Sequence, residues 1–173
     1  MKKSIIFLAF FGIAIVFAQK FTTLAEYKAS IKSNKSEAKK AIKPYLYDGY
    51  KTTYFNYKTF KQTKEVEIYL FNNTEYKLAF NTKSCSKGIK INIYNTEKSA
   101  SNRILLKTIE NSSENLVVST KELNEVLEVK KSKATRLKRV FVSYEIPSNS
   151  SANNTKPLIE DRAAIVLVMG YKN

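Results

Sequence analysis

Histidine and tryptophan are missing altogether from this 173-residue chain, and there is one cysteine, Cys85. Without histidine there is no Ser-His-Asp or Cys-His nucleophile, no histidine-ligated zinc and no imidazole acid–base catalyst. A single cysteine excludes an intrachain disulfide and a CxxC redox pair. It is expected to be buried, since a free cysteine packs as a small hydrophobe. Glycine is nearly as scarce: Gly12, Gly49, Gly88 and Gly170 are the whole supply, too few and too scattered for a phosphate-cradling loop. Two facing carboxylates remain formally able to hydrolyse a glycoside. The candidates are poor, because Glu65 and Glu67 lie among lysines in a strand pattern and Glu160-Asp161 sits at a loop end. We therefore expect no enzyme, no catalytic residue, no metal and no cofactor.

Charge of one sign is also in short supply, and what is there is basic. Thirty Lys and Arg face fifteen Asp and Glu, a formal net charge of +15. Such a balance invites nucleic acid or an anionic surface. Yet arginine, which grips phosphate in a bidentate fork, occurs only at positions 103, 136, 139 and 162. The Lys-, Asn-, Ile- and Tyr-rich composition also fits A/T-biased codons, and nucleic acid is not the expected partner.

The only long hydrophobic run is at the start. Lys2 and Lys3 precede an apolar stretch, Ser4–Phe17, and Val16-Phe17-Ala18 offers the small residues a signal peptidase reads. The run is short for a bilayer span and no second one follows, so we expect a signal peptide over 1–18 and no transmembrane segment after its removal. Cleavage leaves 155 of the 173 residues, one domain's worth, and takes the charge from +15 to +13. We expect export, with the mature chain periplasmic or secreted.

Beyond the leader, Thr23 and Glu26 form a capping-box signature and Pro44 ends the helix they begin. Leu24, Tyr27, Ile31, Ala38, Ala41, Ile42 and Tyr45 make a narrow apolar stripe, interrupted at Asn34. Lys28, Lys32, Lys35 and Lys39 make a basic stripe beside it. Those lysines are either a solvated face or a contact for anionic lipid or polysaccharide. Asp48-Gly49 reads as a turn, and Tyr50–Phe60 as a strand crowded with aromatics. Its Tyr50, Tyr54 and Tyr57, with Lys51 and Lys58, are the candidate ligand contacts, because rings among lysines stack on sugars or bases. The plainer reading is that strands prefer such rings for packing.

The remaining segments alternate like strands. Glu65–Phe80 reads as a hairpin turning at Asn72-Asn73-Thr74. Ile89–Tyr94, Ile104–Glu110 and Leu116–Val118 follow, and Lys83–Gly88 is a loop carrying Cys85. Ser119 with Glu122 predicts a second capping box and a short helix to Leu127, although Val126–Lys130 would also suit a strand. Arg136–Ile146 is a strand, and Pro147–Lys156 a polar loop. Ala163–Met169 (AAIVLVM) is apolar throughout, as a strand covered on both faces must be. The expected fold is mainly β: an antiparallel β-sandwich of about 7–8 strands preceded by one amphipathic helix. The divisions are 1–18, signal peptide; 19–48, helix and linker; and 49–173, sandwich.

Five stretches, Phe17-Ala18-Gln19, EVEIYLFNNTEYKLAF, IKINIYN, RVFVSYEIP and AAIVLVMGYKN, resemble a group of small exported proteins of Bacteroidetes. The resemblance implies a leader ending in Ala-Gln, an N-terminal amphipathic helix and a β-sandwich-like body, and it implies no activity. Where related chains carry Gly-Cys before the last strand and Asp after the Ile-x-Tyr segment, this one has Arg162-Ala163 and Asn95, so those residues bring no role with them. The expected function is a non-catalytic cell-envelope module, binding a protein through a sheet face or edge strand. The alternative is a module for neutral or anionic polysaccharide that uses the tyrosines and lysines named above.

Overall fold

The computed structural model describes residues 21–112, 115–132 and 136–172. The expected signal peptide, residues 1–18, lies outside the described residues. Helix α1 (Leu24–Ala41) starts as its sequence dictates, with the Thr23 side chain accepting from Glu26 N–H and the Glu26 side chain reaching back. Strands β1 (Leu46–Asn56), β2 (Gln62–Tyr69), β3 (Glu75–Asn81), β4 (Ile89–Tyr94), β5 (Leu105–Ser112) and β6 (Asn115–Ser119) follow. Then come helix α2 (Thr120–Lys131), β7 (Arg139–Ile146), a 3-10 turn (Ile159–Asp161) and β8 (Arg162–Lys172).

The strands form two four-stranded antiparallel sheets, in the orders β1-β8-β3-β6 and β2-β7-β4-β5. This is the β-sandwich expected from the alternation. Its core lies between the sheets: Leu78, Phe80, Ile165 and Leu167 of the first meet Ile68, Ile91, Ile93, Val142 and Tyr144 of the second. Strand β8 is buried from Ala163 through Val168, because α1 covers its other face. There Ala38 and Ile42 pack on Ala79, Val166 and Val168, and Tyr27 packs with Phe21 on Ala164. Asn34, which interrupts the apolar stripe in sequence, is buried under the helix, and its Nδ2 has no partner among the described residues.

Five expectations need correction. The Glu65–Phe80 hairpin does not form, since β2 pairs with β7 while β3 pairs with β6 and β8. The connection crosses between sheets, held by Leu70 N–H donating to Lys138 C=O at 2.9 Å, with Asn73 at φ 57 supplying the left-handed residue. Crossing lets Ile68, Leu70, Leu78 and Phe80 bury toward one core from opposite layers. Asp48-Gly49 is not a turn but a β-bulge inside β1, for Tyr47 pairs with Gly170 and Gly49 with Met169, leaving Asp48 extra. The expected second capping box is half made: Ser119 accepts from Lys121 N–H at 3.1 Å, but Glu122 is ion-paired with Lys107. The 126–130 stretch is helical. The late strand starts at Arg139, three residues later than Arg136. The first strand starts at Leu46, inside the segment assigned to the linker.

Candidate functional site

The sandwich leaves few surfaces unengaged. The outer face of the second sheet is closed on itself by polar pairing. Arg103 binds Glu65 at 2.5 Å and stacks 3.7 Å over the Tyr94 ring, and Arg139 binds Glu67 at 2.9 Å. Asn92 donates to Glu145 at 2.5 Å and accepts from Thr108 at 2.8 Å. The glutamates that read as solvent-face charges are therefore matched to two of the four arginines. The outer face of the first sheet is sealed by α1 on β8 and β3. Among the described residues no three Cys, Asp or Glu side chains gather to hold a metal.

Tyr69, Phe71 and Val129 are exposed elsewhere on the sandwich, but the open surface that gathers candidate residues is the seam where α1 runs beside β1. Register on β8 sets which residues face it. Tyr50 pairs with Val168 and Tyr54 with Ala164, and those partners point outward, under the helix. Tyr50 and Tyr54 therefore share the outer face and are 46 % and 57 % exposed. Tyr47 belongs with them, since the bulge at Asp48 puts it opposite Gly170, on the same face. Without the extra residue Tyr47 would turn toward the core.

The helix brings its lysines to these rings. Lys35 Nζ lies 3.3 Å from the Tyr50 ring centroid and Lys39 Nζ 4.4 Å from that of Tyr47. Passing from Lys35 to Lys39 thus retraces β1 from Tyr50 to Tyr47, so helix and strand run antiparallel. Continued the other way, that alignment brings Tyr54 level with the first turns of α1. Tyr27 lies there; burial pushes its hydroxyl up to about 12, with the Tyr54 hydroxyl adding to the effect. Lys28, Lys32, Lys35 and Lys39 have no carboxylate within ion-pair distance among the described residues. Two of the five ligand candidates, Tyr50 and Tyr54, thus share one basic, aromatic strip with the lysine row.

Three of the candidates fall elsewhere. Tyr57 is fully buried between the sheets, edge-on to Phe55, with its hydroxyl accepting from Lys87 N–H at 3.0 Å. It lies seven residues from Tyr50, an odd step that turns it to the core. Lys51 pairs with Leu167 and so faces away from Tyr50. Lys58 sits past the end of β1, with Nζ 5.4 Å from the Phe60 ring. Tyr47 is the strip residue that sequence reasoning left out of the ligand set, because a residue pair typical of turns hid the bulge.

A hollow of about 470 Å³ lies elsewhere, between the β2–β3 crossing and α2. Glu75, Lys121, Asn124, Glu128, Arg136 and Lys172 line it, a mixture of charges with no dominant sign. Its Glu75 is already occupied: the Tyr45 hydroxyl donates to it at 2.5 Å and holds the carboxyl below its ordinary value. Cys85 is buried in its loop with Sγ 3.6 Å from Ala164 C=O, and burial pushes the thiol up to about 12. No family model matches the chain, and a search of curated proteins finds none similar to it.

Proposed function

We propose that the chain is exported behind a cleaved signal peptide and works in the cell envelope as a non-catalytic polysaccharide-binding module. The observation that supports this is the strip on the α1–β1 seam. Exposed tyrosines at 47, 50 and 54 carry lysine ammonium groups on two of their rings. Flat rings stack on the apolar faces of sugars, while ammonium groups donate to their oxygens. The test is affinity electrophoresis of the mature chain in gels containing soluble neutral and acidic polysaccharides. A glycan-dependent retardation, lost in the Tyr50→Ala/Tyr54→Ala variant with its circular dichroism unchanged, supports the reading. Unretarded migration through every glycan overturns it.

A protein partner is the second reading, and it has one observation behind it: among the described residues the outer edge of β1 carries no strand. Free edges accept added strands. This edge is guarded, however, by the Asp48 bulge and by Lys51 on the core-ward face, both devices that discourage pairing. Recovery of one stoichiometric protein from native envelopes, with no glycan retention, would reverse the order.

A further inference from the structure

We infer that the α1–β1 strip grips the interior of a linear acidic polysaccharide, laid along the helix with its carboxylates on the lysine row and a sugar ring on Tyr54. This deepens the polysaccharide reading and rests on it. The row is straight: positions 28, 32, 35 and 39 fall within one narrow arc of a helix and span about 16 Å at 1.5 Å per residue. Among the described residues none of its four ammonium groups is in an ion pair, and the cations that are paired lie off the row. Lys83 holds Glu37 at 2.8 Å, Lys90 holds Glu110 at 2.8 Å, and the Arg103 and Arg139 pairs are described above. A row of cations with no counter-ion of its own calls for a ligand that supplies several anions in line.

The tyrosines make the row a sugar site as well as a charged one. Seating Lys35 on Tyr50 and Lys39 on Tyr47 fixes two long side chains before any ligand arrives, which lowers the entropy lost on binding. Each ammonium keeps donors free to turn outward. Among the described residues no cation covers the ring of Tyr54, so its face is open for stacking. Leu24 at the start of α1 and Leu46 at the start of β1, one toward each end of the strip, are both exposed.

The same geometry disfavours the other polyanions. An interfacial helix must sink its apolar face into a bilayer, and the apolar face of α1 is spent on β8 and β3. Phosphate backbones are best held by arginine forks, and the row itself is built of lysines, with Arg162 standing singly beyond Tyr54 on the same outer face.

The test titrates the mature chain with polygalacturonate, with size-graded oligogalacturonates, with linear polyphosphate and with the neutral glycans dextran and xylan. Affinity should rise with oligomer length until the oligomer spans the row, then level off, and should fall with added salt. The Lys32→Gln/Lys35→Gln/Lys39→Gln variant should bind polygalacturonate about tenfold or more weakly. Tyr54→Ala should weaken polygalacturonate and leave polyphosphate unchanged. A galacturonate monomer or dimer matching the polymer would overturn the inference, as would tighter binding of polyphosphate than of polygalacturonate. Tyrosine-dependent binding of dextran or xylan alone would overturn it too, while leaving the polysaccharide reading standing. Failure of every glycan to bind would remove both.

Discussion

Tyr144 places its ring between the two sheets, edge-on to Phe80 at 6.5 Å, yet its hydroxyl has no partner among the described residues. Burial alone raises its pKa. A buried hydroxyl without a hydrogen bond is a net loss to the folded state, while the ring around it is core packing. Tyr144→Phe keeps the ring and removes the orphan, so it should raise unfolding stability by about 1 kcal/mol, read from urea midpoints at unchanged slope. Tyr57 is the opposite case, its hydroxyl bonded twice to the Lys87 backbone. Tyr57→Ala should cost about 3–5 kcal/mol, whereas Tyr54→Ala, at a ring 57 % exposed, should stay within about 0.5 kcal/mol. Equal losses at the two positions would refute this placement. The contrast was half legible in the sequence: within one strand an odd step flips the face, so Tyr50 and Tyr57 cannot both be outside. What hid it was the cluster itself, since seven rings between 45 and 60 look alike until the strand is paired.

At the scale of elements, local signals were legible and pairing was not. The Thr23 cap, the apolar last strand and the IKINIY strand are statements about a residue and its neighbours, and each stands in the structure. The Glu65–Phe80 hairpin was a statement about partners. Asn72-Asn73-Thr74 permits a reversal within one sheet or a crossing between two, and the period-2 pattern is the same in both. The bulge at Asp48 escaped for a related reason, because Asp-Gly is favoured by turns and bulges alike. One element contact is set by a missing side chain. A Cβ on Gly170 would come 2.7 Å from Ile42 Cδ1 and 3.2 Å from Leu46 C=O. Glycine there lets the end of α1 close on β8, so Gly170→Ala should cost about 1–3 kcal/mol through overpacking. Because the helix carries the lysines, the same change should also weaken glycan binding. A variant with full stability and full binding would show that the helix does not rest on this contact.

The whole molecule carries its charge in groups that ionise far from neutrality, and this shapes its stability curve. On the acid side Glu26, Glu37 and Glu75 all titrate below the ordinary 4.5. The leading causes are the Thr22 N–H, the Lys83 ammonium and the Tyr45 hydroxyl respectively. A lowered folded pKa means the unfolded chain takes up protons first, so this stability is complete above 4.5 and fades as pH falls through the folded values. On the basic side burial lifts the Cys85 thiol and Tyr27 to about 12, and the Glu75 carboxylate lifts Tyr45 to about 12. Their contribution is complete below the ordinary values, 9.0 for the thiol and 10.0 for the tyrosines, and fades as pH rises above them. Between these limits histidine is the side chain that ordinarily titrates, and the chain has none. The melting temperature should therefore be level from about pH 5.5 to 8, dropping on both sides, as followed by circular dichroism at fixed ionic strength. An inflection near pH 6–7 would contradict the account. Polygalacturonate binding draws on the α1–β1 strip and not on these carboxylates and tyrosines. Salt should weaken that binding without lowering the melting temperature in parallel, because the α1–β1 strip is basic while the core beneath it is apolar.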